Sequence, residues 1–153
     1  MNRLAFLLLA PLAILTGCTH DPAIATPDDF AELDGGDHHA YRATNASGVV
    51  VGVRSEKNDP KGNLDFWSQA LANKLEKGGY KKVGSDLVTT SAGVQGRRLK
   101  YEIDKSGRTS EYWITIFVTA KDVVVVEAGG DSAFFDEKTE KQVDQAIKSL
   151  ELG

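Results

Sequence analysis

The sequence contains a single cysteine, Cys18, in 153 residues. That excludes a disulfide framework within the chain, a four-cysteine zinc site and a CxxC redox pair. Histidine is scarce as well, with three residues, two of them adjacent. There is no H-E-x-x-H pair, no G-x-S-x-G elbow and no Walker-type phosphate loop. The usual signatures of metalloprotease, α/β-hydrolase and P-loop chemistry are therefore missing. An excess of positive charge is missing too: 18 basic side chains face 22 acidic ones, for a net charge of −4. This argues against nucleic acid as a partner, because neutralising phosphates takes a basic face. No apolar run reaches the roughly 20 residues of a membrane-spanning helix. The length accommodates one domain, and neither an internal repeat nor a low-complexity segment interrupts it.

What is present begins with an export pattern. Met1-Asn2-Arg3 is a short positive region, and Leu4 to Leu15 is a twelve-residue apolar stretch broken only by Pro11. Too short to span a bilayer, it reads as the hydrophobic part of a secretory signal. Leu15-Thr16-Gly17-Cys18 follows, and it resembles the bacterial lipobox. The resemblance implies a diacylglyceryl group on the Cys18 thiol and cleavage just before it. A thiolate is the side-chain nucleophile suited to that transfer. Two or three acyl chains anchor firmly where one is marginal, at about 0.8 kcal/mol per buried methylene. Residues 1–17 are thus expected to be a signal peptide. Removing them takes Arg3 away and leaves 17 basic against 22 acidic side chains.

Residues 18–29 are expected to be a tether. They hold Pro22 and Pro27, small residues and acids, with no sustained periodicity. Residues 30–153 are expected to be one domain. Gly35-Gly36-Asp37 is a turn signal. Strands are predicted over Ala40–Asn45 and Val49–Glu56, joined by Ala46-Ser47-Gly48 as a hairpin. A helix is predicted from Leu64 to Lys77, with Asn63 as its N-cap and Gly78-Gly79 as its stop. Leu64, Trp67, Leu71 and Leu75 form its apolar stripe. Four strands follow: Tyr80–Thr90, Val94–Asp104, Ser110–Thr119 and the valine run Val123–Val126. The run has no polar alternation, so it reads as a central strand covered on both faces. A last helix is predicted over Asp136–Leu150, with Val143, Ile147 and Leu150 inward. The fold class is α+β, in the order β-β-α-β-β-β-β-α. It has one largely antiparallel sheet of about six strands and helices packed on both faces.

Chemically suggestive clusters are few, and no catalytic residue is assigned. Asp34, Asp37, His38 and His39 include types that ligate divalent metals. Adjacent histidines on a strand point to opposite faces, so the reading taken is a polar loop without a metal. Arg97, Arg98 and Lys100, with Lys81 and Lys82, are either solvated strand faces or a basic surface for acidic lipid or peptidoglycan carboxylates. Trp67 has the register of a core residue. Trp113 lies opposite the Ile114/Ile116 side of its strand, either under the second helix or on a recognition surface. Trp113, Arg97 and Arg98 are the candidate binding surface. Gly93-Val94-Gln95-Gly96 is read as a turn or bulge rather than a phosphate cradle.

Five segments in order carry a further likeness. They are AYRATNASGVVVGVRSE (40–56), NLDFWSQALANKLEKGGYKKV (63–83), TSAGVQGRRLKYEI (90–103), SEYWITIFVTAKDVVVVEAGG (110–130) and VDQAIKSL (143–150). Together they resemble the PsbP-like group of α/β/α sandwich proteins, which includes Mog-type proteins and bacterial lipoproteins of the DcrB and LpqN type. The resemblance covers residues 27–152. It implies a binding or assembly role without a shared active site or cofactor, so no functional residue carries over from it. The expectation is a non-enzymatic, lipid-anchored domain of the bacterial cell envelope on its periplasmic side. Its partners would be the membrane, through the anchor, and an envelope protein or small ligand. Thr19 after the acylated cysteine favours the outer membrane. A small-molecule or ion carrier with a pocket between sheet and helix is the alternative, and a hydrolase a third reading.

Overall fold

A computed structural model describes residues 21–34 and 38–153. The signal-peptide and lipobox positions, including Leu15, Thr16, Gly17 and Cys18, lie outside the described residues, as does the 35–37 turn signal.

Seven strands form one sheet: β1 (Phe30–Glu32), β2 (Tyr41–Asn45), β3 (Val50–Lys57), β4 (Lys81–Thr89), β5 (Gln95–Lys105), β6 (Arg108–Val118) and β7 (Asp122–Asp131). Helix α1 (Leu64–Lys77) lies between β3 and β4 in the chain, and α2 (Glu137–Lys148) follows β7 after one 3-10 turn at Ser132–Phe134. The spatial order is β1-β2-β3-β7-β6-β5-β4, and every pairing is antiparallel. The strand expected at Val123–Val126 therefore runs longer than its valines and lies at the centre.

The expected count of about six strands becomes seven. The extra one, β1, is three residues long, too short to show an alternating pattern. It pairs with β2, Phe30 facing Asn45. The segment leading to it also departs from expectation. Residues 22–29, read as part of a tether, lie on the body. Ala23 and Glu151 exchange both backbone hydrogen bonds, at 3.0 and 2.9 Å. Ala25 N donates to Ser149 Oγ at 2.9 Å, and Gln142 Nε2 donates to the Asp28 carbonyl at 2.6 Å. Pro22 and Pro27 are buried, and Ile24 packs on the core. The domain thus begins by residue 22 rather than 30, because backbone pairing and proline burial need no periodicity to succeed.

Local chemistry explains the remaining boundaries. Asn63 Oδ1 accepts from Phe66 N at 2.9 Å, capping α1. Asp136 Oδ1 does the same for α2 by accepting from Thr139 N at 2.9 Å. Gly79 follows the end of α1 at φ +88°, where L side chains are strained. Ser106 and Gly107 both take positive φ between β5 and β6, the twist that suits a two-residue hairpin.

The sheet separates two apolar layers. Trp113, Phe117, Val124, Val126 and Ala128 face α2, meeting Val143, Ile147 and Leu150. Tyr112, Ile114, Ile116, Val123 and Val125 face α1, meeting Trp67, Leu71, Ala72 and Leu75. The strict alternation of β6 and β7 thus feeds both layers. Trp67 is half-buried, its ring N–H donating to Asn58 Oδ1 at 2.8 Å. Gly96 in β5 marks a close crossing with β6. A Cβ there would lie 2.5 Å from Phe117 Cε1 and 2.7 Å from the Ile116 carbonyl oxygen. Backbone cannot yield as a flexible side chain does. Gly96→Ala should therefore lower the unfolding free energy by about 1–3 kcal/mol through overpacking. Gly84→Ala, whose nearest contact would be an ordinary 3.6 Å to Lys100, should change it far less. Urea unfolding of the two variants checks this, and equal midpoints would contradict the packing described.

Candidate functional site

The two helices cover the sheet unequally. Helix α1 packs on β5 and β6, so on its side β2, β3 and the end of β7 carry no helix. Strand β7 changes character where that cover ends. Val123 and Val125 point to the α1 side under the helix, and Glu127 is the next residue on that side. In register across the sheet, Arg42 faces Gly52 and Gly52 faces Glu127. One row further, Val50 faces Gly129 and Gly129 faces Tyr112.

A polar cluster occupies this open half. Tyr112 Oη donates to Glu127 Oε1 at 2.7 Å, and Arg54 Nε donates to the same oxygen at 3.2 Å. His39 Nε2 lies 3.2 Å from the other oxygen, Oε2. Two glycines make the arrangement possible. A Cβ on Gly52 would come within 3.0 Å of His39 Cδ2, and one on Gly129 within 3.4 Å of Tyr112 Cδ2. Their absence lets both rings lie close to the sheet. The result is a shallow depression of about 180 Å³ bordered by His39, Arg42, Tyr112 and Glu127.

Its electrostatics are fixed by these contacts. The Glu127 side chain is only 20% exposed. Burial opposes its charge, but the Tyr112 hydroxyl, the Arg54 guanidinium and His39 outweigh it and hold the carboxyl below the usual range. Burial, the Glu127 charge and the hydrogen bond to it push the Tyr112 hydroxyl well above its usual range. Tyr112 therefore stays a donor and Glu127 an acceptor, a preorganised pairing rather than one poised to exchange protons near neutrality.

The structure places the sequence-based candidates differently. Arg97 and Arg98 are neighbours in β5 and so point to opposite faces. Arg97 lies on the α1 side, its Nη1 2.7 Å from Asp65 Oδ1. Arg98 lies on the α2 side and is 7% exposed. Its Nη2 is 2.6 Å from Asp86 Oδ2, and Nη1 bonds Asp144. Burial works against its charge, while the two aspartates hold it protonated. Trp113 is 3% exposed, with its ring 4.8 Å from that of Phe135 and Arg98 over its face at 4.8 Å. It sits in the α2 layer. Trp113, Arg97 and Arg98 therefore do not form one surface: Trp113 and Arg98 are interior, and Arg97 is on the other side of the sheet. His38 is exposed, His39 joins Glu127, and Asp37 lies outside the described residues.

Glu127, Tyr112 and Arg54 were not singled out by sequence. The available signal was a carboxylate ending a two-sided valine run, with Gly52 inside a strand.

LpqN of Mycobacterium tuberculosis, involved in cell envelope biogenesis, matches with a TM-score of 0.58 and 17% identity. The match covers 87% of this chain and 84% of that one. The solution structure of cyanobacterial PsbP (CyanoP) from Synechocystis matches with a TM-score of 0.58 and 9% identity, over 94% of this chain and all of that one. The fold is PsbP-like. A Bacteroides thetaiotaomicron protein matches at a TM-score of 0.54 and 15% identity, and there the match covers 86% of this chain but only 45% of the other. No protein-family model and no curated protein matches the sequence. At such identities the PsbP-like likeness concerns the fold. No helix among the described residues is long and apolar enough to cross a membrane.

The Glu127 cluster has a direct energetic signature. Because the folded carboxyl titrates below the unfolded one, the unfolded chain takes up the proton first on acidification. The stability from this shift is present above the ordinary value of 4.5 and drains away as pH falls through the lower folded value. Glu127→Gln should cost about 1–3 kcal/mol at neutral pH and much less near pH 3. Urea unfolding from pH 7 to pH 3 reads the difference, and a constant gap between variant and wild type would contradict it.

Proposed function

We propose that this chain is a lipid-anchored binding domain of the bacterial cell envelope, non-enzymatic, facing the periplasm. The carrying observation is the Glu127 cluster on the helix-free half of the sheet. It is a charged surface whose donors and acceptors are already matched, which suits recognition better than proton transfer. Arg42 borders it and makes no ion pair among the described residues. An acidic group on a partner protein would complement it.

Anchoring rests on the lipobox-like Leu15-Thr16-Gly17-Cys18, and Thr19 favours delivery to an outer membrane. The fold likeness to LpqN supports an envelope role. Anchoring raises the effective concentration of any partner on the same membrane. A second reading, a carrier of a small ligand, rests on a groove between α1 and strands β4 and β5.

Crosslinking in intact envelopes, followed by purification, tests the binding reading. Wild type should partition into the detergent phase and yield a reproducible crosslinked partner. Cys18→Ser should move the protein to the aqueous phase. Arg42→Glu should keep the membrane location and lose the crosslink. A Cys18→Ser protein still in the detergent phase would refute the anchor. An unchanged crosslink in Arg42→Glu would refute the assigned face.

A further inference from the structure

The groove between α1 and the β4–β5 edge is separate from the Glu127 cluster. It measures about 390 Å³. Asp65 and Ser68 border it from α1, Lys82 and Ser85 from β4, and Arg97 and Leu99 from β5.

Its donors have unused hydrogen-bonding capacity. Arg97 spends Nη1 on Asp65, and its Nε and Nη2 have no protein partner among the described residues. Lys82 makes no ion pair or side-chain hydrogen bond among the described residues. The Ser68 hydroxyl belongs to a residue only 4% exposed and has no hydrogen-bond partner among the described residues. A buried hydroxyl without a partner is destabilising unless something else supplies one.

The backbone is shaped to bring these groups together. In a regular strand Lys82 and Ser85, three apart, point to opposite faces. The β4–β5 register shifts between Lys82 and Gly84, so Lys82 stands opposite Tyr101 while Ser85 stands opposite Leu99. Tyr101 and Leu99 both face α1. The irregularity at Val83 thus turns Lys82 onto the α1 side, a re-aiming of a side chain that bulges often perform near functional sites.

We infer that this groove binds a small monocarboxylate with a short apolar body, such as the C-terminus of a peptide. The unused edge of the Arg97 guanidinium offers the paired N–H geometry that a carboxylate accepts. Lys82 supplies a second positive charge, and the Ser68 hydroxyl, buried beneath the groove, gains its missing partner if its side chain turns toward the bound group. Leu99 and Ala72 form an apolar floor for the rest of the ligand. Arg97 and Lys82 against Asp65 leave one net positive charge. That suits a monoanion, and a phosphate dianion would meet Asp65 with its second charge. The inference deepens the carrier reading and does not depend on anchoring at Cys18.

Backbone amide NMR of the full chain in detergent micelles tests it, with N-acetyl-alanyl-alanine as the probe. The acid should shift the Ser68, Ser85 and Arg97 signals saturably, with a Kd on the order of 1 mM. The C-terminal amide of the same peptide should not, and inorganic phosphate should bind more weakly. Arg97→Gln should weaken binding about tenfold or more, with the amide pattern outside the groove unchanged, and Ser68→Ala should weaken it less. Absence of saturable shifts would overturn the site. Equal binding of the amide or of phosphate would overturn the ligand class. Undiminished binding by a folded Arg97→Gln protein would overturn the assigned role of Arg97. Because Arg42 and Glu127 lie outside the groove, Arg42→Glu should bind the probe as wild type does, which keeps this result distinguishable from failure of the envelope-binding reading.

Discussion

The structure depends on where β7 goes. It is the last strand made, yet it pairs with β3 on one side and β6 on the other. Without it, the β1–β3 unit and the β4–β6 unit would share no hydrogen-bonded edge. Its valines serve both layers: Val124 and Val126 meet α2, and Val123 and Val125 meet α1. Each fully buried valine contributes about 1.5–3 kcal/mol relative to an exposed one. The strand is therefore both the seam of the sheet and the shared floor of the two cores.

The same strand sets up the surface. The chain must cross from β3 to the far edge before β4 begins, and α1 makes that crossing over β5 and β6. Helix α1 cannot also cover β2 and β3, which leaves one half of its face open. The α1-facing positions of β7 switch from valine to Glu127 where cover ends. A carboxylate there is tolerable because Tyr112, Arg54 and His39 compensate its desolvation. On the opposite side of α1, toward β4, the compensation is incomplete at the buried Ser68, and the exposed Lys82 makes no ion pair among the described residues. The two ends of the α1 face thus have different chemistry, one closed on itself and one with donors to spare.

Much of this was legible in the sequence because local rules and tertiary packing agree. Asn63 and Gly78-Gly79 bound α1 where capping chemistry predicts, and the alternation of Tyr112 to Phe117 gives both layers. The valine run announced a strand buried on two sides. Other features depend on distant partners. Strand β1 is too short to show a pattern, and residues 22–29 are held by Glu151, Ser149 and Gln142, more than a hundred residues away. The pairing of Arg97 and Arg98 as one basic patch overlooked strand alternation. Arg98 is buried because Asp86 and Asp144 converge on it, which no spacing reveals. The shift at Val83 that re-aims Lys82 is visible only in the register. The expectation of an anchor at Cys18, by contrast, rests on a sequence motif alone.

Native-state hydrogen exchange tests the central role of β7 most directly. If that strand is the seam, the amides of Val124, Val125 and Val126 should exchange only through global unfolding, with the full unfolding free energy. Those of the edge strands β1 and β4 should exchange through smaller openings. Exchange of the β7 amides at a lower free energy than those of β5 would contradict the account, since it would mean the two halves of the sheet separate while each remains folded.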